Sequence, residues 1–221
     1  MIVIKGKKYK LRILLTLVWK KIFYKIICRY IFFLRVFYKT RHTQTPITFS
    51  MWFRQKILGR NYEAYWPIHK SSTVTNVGNI IAGIEVSPGY SHGCYIQGMG
   101  KIEIGDYTQI APNVGIISAN HELTDNRKHI VKNVKIGKYC WLGMGVIILP
   151  GVVLGDYTVV AAGSIVTKSF PDGYCVIAGN PAKIIKVLEK EKCIFHRSRY
   201  EYNGYIRASK FSKYRKKYLS V

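Results

Sequence analysis

Residues 136–166 read IGKYCWLGMGVIILPGVVLGDYTVVAAGSIV, and every sixth position from the first is aliphatic: Ile136, Leu142, Ile148, Leu154, Val160 and Val166. The register continues backward through Ile104, Ile110 and Ile116, and more weakly through Val86 and Ile80. The fifth place of each unit holds a small or medium residue, as at Thr108, Val114, Cys140, Val146, Val152, Thr158 and Ser164. Each unit reads as one short strand plus a turn. Six residues cannot bury their own apolar face, so three units must close a triangular coil and successive coils must stack. The aliphatic column becomes the core of an all-β solenoid.

The coil register runs from near Ile80 to near Phe170, within a repeat domain set at residues 71–186. Residues 1–70 form a basic, partly helical extension before it, and residues 187–221 a basic, aromatic, short helical tail after it. Ile116 and Ile136 are twenty positions apart, read as eighteen plus two, so residues 120–133 must leave the coil as a polar loop. Loops held by a rigid scaffold are where chemistry concentrates.

The formal net charge of +24 is unevenly placed. Residues 1–70 carry sixteen Lys or Arg and one Glu, residues 71–188 nine and seven, and residues 189–221 ten and three. Five cysteines without a C-x-x-C spacing argue against a disulfide framework or a zinc cluster and for a reducing, cytoplasmic setting. The N-terminal segment is apolar and aromatic but interrupted by Lys20, Lys21, Lys25 and Arg29; its longest uncharged stretch, from Ile13 to Trp19, is too short to span a bilayer. It also lacks the pattern of a cleaved signal peptide. As one helix, it gathers Lys20, Lys21, Lys25, Arg29 and Arg35 on one half and Trp19, Ile22, Phe23, Ile26, Phe33 and Phe37 on the other. That profile suits a helix lying on an anionic membrane surface. Packing of the same helix on the coil, with its basic side in solvent, is the alternative. Nucleic acid is not expected as a partner, because no nucleic-acid-binding motif accompanies the charge.

His121 stands in Ser118-Ala119-Asn120-His121-Glu122-Leu123-Thr124-Asp125, where the chain leaves the coil. A neutral imidazole there can take a proton from a hydroxyl as that hydroxyl attacks an electrophile. Glu122 and Asp125 are candidates to orient the ring.

These residues resemble the hexapeptide-repeat acyltransferases, specifically the branch that contains the maltose, galactoside and capsular-polysaccharide O-acetyltransferases. The resemblance covers about half the chain. It rests on Ile104-Gly105-Asp106, on Ile110-Ala111-Pro112-Asn113-Val114, on Ser118-Ala119-Asn120-His121 and on Trp141-Leu142-Gly143. It continues through Ile148-Leu149-Pro150-Gly151-Val152, Ala162-Gly163-Ser164-Ile165-Val166-Thr167-Lys168 and the closing Ala178-Gly179-Asn180-Pro181-Ala182-Lys183. It implies a left-handed parallel β-helix assembled as a homotrimer, acetyl-CoA as donor, no metal, and a sugar hydroxyl as acceptor.

Carried over position by position, the resemblance makes His121 the catalytic base of a direct transfer without an acyl-enzyme. It places Trp141 beside the active site, Gly143 and Met144 against the thioester, and Ala162, Thr167 and Lys168 along the pantetheine arm. Lys183 and Lys186 fall near the nucleotide phosphates, where the family commonly has Arg. Ser91, His92 and Asn120 are the candidates to touch the acceptor. The galactoside branch presents an Asn and a carboxylate where this chain has Ser91 and Met99, which points away from a free galactoside, and the basic aromatic ends, which would hold the protein near a membrane-bound acceptor, suit a capsule or lipid-linked glycan intermediate. Two other readings share the scaffold. One is a carbonic-anhydrase-like metal hydratase, which needs three His ligands; the other is a non-catalytic binding or scaffold coil.

Overall fold

The computed structural model describes residues 2–4, 7–9, 11–28, 31, 34–59 and 61–221. Its centre is a left-handed parallel β-helix of three sheets. The first face stacks Thr73–Thr75, Tyr95–Gln97, Gly115–Ile117, Ile147–Ile148 and Ile165–Val166. The second stacks Ile80–Ala82, Ile102–Ile104, Val134–Ile136 and Val153–Leu154. The third stacks Gln109–Ile110, Trp141–Leu142, Thr158–Val160 and Cys175–Gly179, and the antiparallel strand Ala182–Val187 closes its edge. The first stacked strand therefore precedes Ile80.

The period is explained by burial. Ile104, Ile116, Ile136, Leu142, Ile148, Leu154, Val160 and Val166 are all at most 1% exposed, and the fifth-place residues from Thr108 to Ser164 are buried beside them. Polar members of that second column are satisfied locally: Thr108 Oγ1 donates to Gly137 O at 2.7 Å and Thr158 Oγ1 to Gly155 O at 2.8 Å. Glycine at the turn between the second and third faces permits coil to lie on coil. A Cβ on Gly137 would sit 2.5 Å from Asp156 N, and one on Gly105 would sit 2.6 Å from Gly137 C.

The eighteen-plus-two reading of the central interval is corrected by the register. Ile136 pairs with Leu154 eighteen positions later but with Ile104 thirty-two positions earlier. Ile116 and Ile136 thus lie on adjacent faces, one six-residue step apart plus fourteen inserted residues. The insertion is an antiparallel hairpin, Ala119–His121 against His129–Val131.

Both extensions close over the coil. Tyr107, Tyr139, Tyr157 and Tyr174 repeat at the turn between the second and third faces with φ of 59°, 55°, 55° and 46°, and their rings stack 4.9 to 5.3 Å apart. The chain after the last coil runs back down this ladder. Tyr139 Oη donates to His196 O at 3.0 Å, Tyr157 Oη to Ile194 O at 2.6 Å and Tyr107 Oη to Glu201 Oε1 at 3.1 Å. The tail then reaches the base of the coil, where the helix Ala208–Tyr218 sets Phe211 and Tyr214 against Tyr65 at 5.2 and 5.3 Å. Tyr65 and Trp66 are buried in the same core, so residues from both extensions cap the first coil.

The N-terminal helix differs from the single amphipathic helix expected. The helix Leu11–Ile22 continues as a π-helical turn, Phe23–Ile27, and a separate helix spans Arg35–Lys39. Phe37 does not join an outward apolar face; it is 1% exposed and packs with Cys28, Leu34 and Ile47. Burial of a whole aromatic side chain outweighs the helical period. Arg29 and Phe33 lie outside the described residues, as do the side chains of Lys20 and Lys25. Among the described residues, no helix is long and apolar enough to cross a membrane.

Candidate functional site

His121 ends the first strand of the hairpin that projects where the first face turns into the second. The hairpin is rooted through Gln97, whose side-chain oxygen accepts from Ala119 N at 3.0 Å and whose carbonyl accepts from Ser118 Oγ. On the facing coil turn, a Cβ on Gly100 would sit 2.8 Å from Val131, so the missing side chain lets the hairpin base seat there.

The imidazole is exposed, and its Nδ1 is hydrogen-bonded to the carbonyl of Asn126. A carbonyl can only accept, so Nδ1 donates to it, and in the neutral ring the lone pair lies on Nε2. The hairpin turn itself therefore selects the tautomer a general base requires. Neither carboxylate does so. Asp125 is engaged with Arg127 at 2.8 Å and Lys128 at 3.7 Å, and the Arg127 guanidinium holds its carboxyl below the usual carboxylate range. Glu122 Oε1 accepts from Thr124 Oγ1 at 3.3 Å. Across the hairpin, His129 pairs with His121 in register, ring centroids 4.5 Å apart. Among the described residues, no three metal-capable side chains converge.

The other candidates divide between two corners of the prism. Asn120, Thr167 and Lys168 share the corner of His121, and all three are exposed. Trp141 stands on the third face, 54% exposed, and the turn beyond it toward the first face carries Gly143, Met144 and, one coil above, Ala162. Ser91 and His92 lie at that same turn, lower in the stack, with Ser91 Oγ donating to Ile110 O at 2.8 Å. Lys183 and Lys186 are exposed on the strand that edges the third face.

The turn at Gly143 is built to approach closely, since a Cβ there would sit 2.6 Å from Ala162 N. Gly143 N donates to Val160 O at 2.8 Å and Gly145 N to Pro112 O at 3.0 Å. Between them, Met144 N has no acceptor among the described residues and is the backbone donor free to meet a ligand. Two grooves flank Trp141. One, of about 250 Å³, reaches Ser91; the other, of about 540 Å³, is walled by the tyrosine ladder.

No thiol is set up as a nucleophile within the coil. Burial pushes Cys140 up to about 12 and raises Cys94 and Cys175, so all three are held as thiols. Sequence reading missed the ladder, although the signal was present: Tyr107, Tyr139 and Tyr157 each stand three places after a core aliphatic residue.

The bacterial transferase hexapeptide family (six repeats) matches residues 133–168. The galactoside O-acetyltransferase of Escherichia coli is 42% identical over 89 residues, covering 38% of this chain and 43% of that protein. Its Lactococcus lactis counterpart is 42% identical over 87 residues, covering 38% and 42%. A solved galactoside acetyltransferase in complex with coenzyme A superposes with a TM-score of 0.56 at 26% identity, covering 75% of this chain and 84% of that one. The chain spans about half the length of the curated relatives it matches.

Proposed function

Because the coil is that of the hexapeptide-repeat transferase family, we propose that this protein is an acetyl-CoA-dependent O-acetyltransferase acting on a saccharide hydroxyl of a capsule or other surface-glycan intermediate. His121 Nε2 removes the hydroxyl proton as the oxygen attacks the thioester carbonyl. The tetrahedral oxyanion accepts a hydrogen bond from Met144 N–H. Collapse breaks the carbon–sulfur bond, and the proton on His121 passes to the departing CoA sulfur, so atoms and charge balance without an acyl-enzyme. The observation that carries this reading is the Asn126 carbonyl on Nδ1, which leaves Nε2 of an exposed imidazole as a proton acceptor.

The site is shared between copies in a homotrimer. Two observations support this. His121 with Lys168, and Trp141 with Met144, occupy different corners of one prism, so a second copy has to bring them together. The hairpin also exposes Leu123, Ile130 and Val131, and the other corner exposes Trp141 and Met144, apolar surface suited to mutual burial. Ala162, Thr167 and Lys168 then line the pantetheine, with Lys183 and Lys186 as cations for the nucleotide phosphates.

The enzyme sits at the cytoplasmic face of a membrane. Ile13, Leu15, Val18, Trp19, Ile22 and Ile26 are all at least 40% exposed on the N-terminal helix and its π-helical turn, in a segment with sixteen basic residues and one acidic. That combination favours an anionic lipid surface.

The test is release of free CoA when purified protein meets acetyl-CoA and glycan extracts, with the acetylated sugar identified by mass. A rise in free CoA that depends on the glycan is expected. Acetyl-CoA left intact with every glycan offered would overturn the assignment.

A further inference from the structure

A cleft of about 340 Å³ lies outside the coil, between residues 38–43 of the N-terminal extension and 196–200 of the descending tail. Its walls carry Lys39, Arg41, Arg197 and Arg199. Arg41 lies over the Tyr38 ring at 3.8 Å and donates to Tyr38 O at 3.0 Å, and Lys39 and Arg199 both approach the Tyr200 ring, 4.7 and 5.4 Å from its centroid. Aromatic rings, the Tyr38 carbonyl and the His42 ring, whose Nε2 accepts from Arg41 Nε at 2.9 Å, hold Lys39, Arg41 and Arg199 in place. Of the four, Arg197 pairs with Glu201 at 3.4 Å, while among the described residues Lys39, Arg41 and Arg199 have no carboxylate within ion-pair distance. Glu85, the other nearby acid, is buried and accepts from Gln44 N at 3.3 Å instead. Burial, and then the neighbouring Arg207 and Arg35 guanidinia, lower the pKa of Lys39.

The cleft opens toward the transfer site. His196 lines both it and the groove beside the tyrosine ladder, and Gln44, Gln109 and Trp141 line both that groove and the one reaching Ser91. His196, whose ring meets Tyr107 at 5.8 Å, is the wall that the basic cleft shares with the groove leading along the tyrosine ladder to Trp141.

We propose that this cleft binds a phosphoryl group, mono- or diphosphate, carried by the acceptor saccharide. Two guanidinia and an ammonium suit a multiply charged tetrahedral anion with fork-like donors, beyond what one carboxylate needs. Ser198 adds a hydroxyl to the same walls, whereas Thr43 Oγ1 already donates to Thr40 O at 2.7 Å. The acceptor is then a diphosphate-linked sugar, whose charged end is fixed in the cleft and whose hydroxyl is presented near Trp141. That last placement rests on the transferase reading given above; the phosphoryl site itself does not.

Calorimetric titration of the full chain with inorganic pyrophosphate, and with UDP as a soluble nucleotide probe, tests the site without requiring turnover. Flotation with phosphatidylcholine vesicles, with and without phosphatidic acid, supplies the lipid-headgroup arm. Arg199→Gln and Arg41→Gln are expected to bind pyrophosphate about tenfold more weakly than the wild type, with affinity falling as salt rises. Arg199 is the safer variant, because among the described residues its side chain meets the Tyr200 ring and no hydrogen-bond or ion-pair partner, and an unchanged melting temperature verifies its fold. UDP binding lost in the variants identifies a soluble nucleotide-linked acceptor, and vesicle binding lost in them identifies a lipid-linked one. Equal pyrophosphate affinity in wild type and variants overturns the site. A rise in KM for acetyl-CoA in place of the acceptor overturns the assignment to the acceptor. Should pyrophosphate bind while no glycan is acetylated, the transferase reading fails and the phosphoryl site stands.

Discussion

His121→Ala is expected to release CoA from acetyl-CoA and acceptor about 10²–10⁴-fold more slowly than the wild type, the usual contribution of a positioned general base. The ring is exposed and its contacts are the Asn126 carbonyl and the His129 ring, so its removal leaves the coil and its melting temperature untouched. Added imidazole is expected to restore part of the rate, because the truncation opens space where the lone pair stood. Asp125→Asn and Glu122→Gln are expected to act near the wild-type rate, since their oxygens meet Arg127, Lys128 and Thr124 and not the imidazole. Stopped assays of free CoA across the three variants check this. Full activity in His121→Ala would remove the imidazole from the mechanism.

Leu142→Ala is expected to cost about 2–5 kcal/mol, a large part of the total stability of an ordinary domain. Leu142 is 0% exposed and stacked between Ile110 below and Val160 above, so truncation leaves a cavity that neighbouring coils cannot collapse to fill. Ile194→Ala in the descending tail, where the side chain is 81% exposed and lies away from the hairpin and Trp141 surfaces, is the matched control and should change stability by less than about 0.5 kcal/mol. Urea titration of both variants measures the difference. A Leu142→Ala protein as stable as the control would mean that the aliphatic column is not the core.

The coil was legible because its physics is local and repeated. Each of the positions from Ile136 to Val166 meets the same kind of neighbour one coil away, so the environment recurs every six residues and leaves a period in the sequence. His121 was legible because the hairpin is the only long interruption of that period. Its orienting group was not, because a backbone carbonyl at Asn126 has no side-chain signature and the two carboxylates nearby were the visible candidates. The wrapping tail left no trace for a different reason. Tyr107 meets Glu201 ninety-four positions away, and Tyr205 meets Gln55 across one hundred and fifty, and contacts of that span occur once each without a repeat to reveal them. The described bend at Ile31 falls in a stretch, residues 28–34, whose sequence contains no Gly or Pro, so the periodicity carried straight through it.

The central claim is that the imidazole of one copy serves the groove of its neighbour, and mixed oligomers test it most directly. Two differently tagged chains are co-expressed, one with His121→Ala and the other with Ala162→Trp, which fills the exposed turn of the donor groove; both tags are used in purification. Each variant alone is expected to be inactive at three times the 25.4 kDa chain mass. A mixed trimer restores one intact interface, so about a third of the wild-type rate is expected. Mixed oligomers as inactive as their parents would contradict the account.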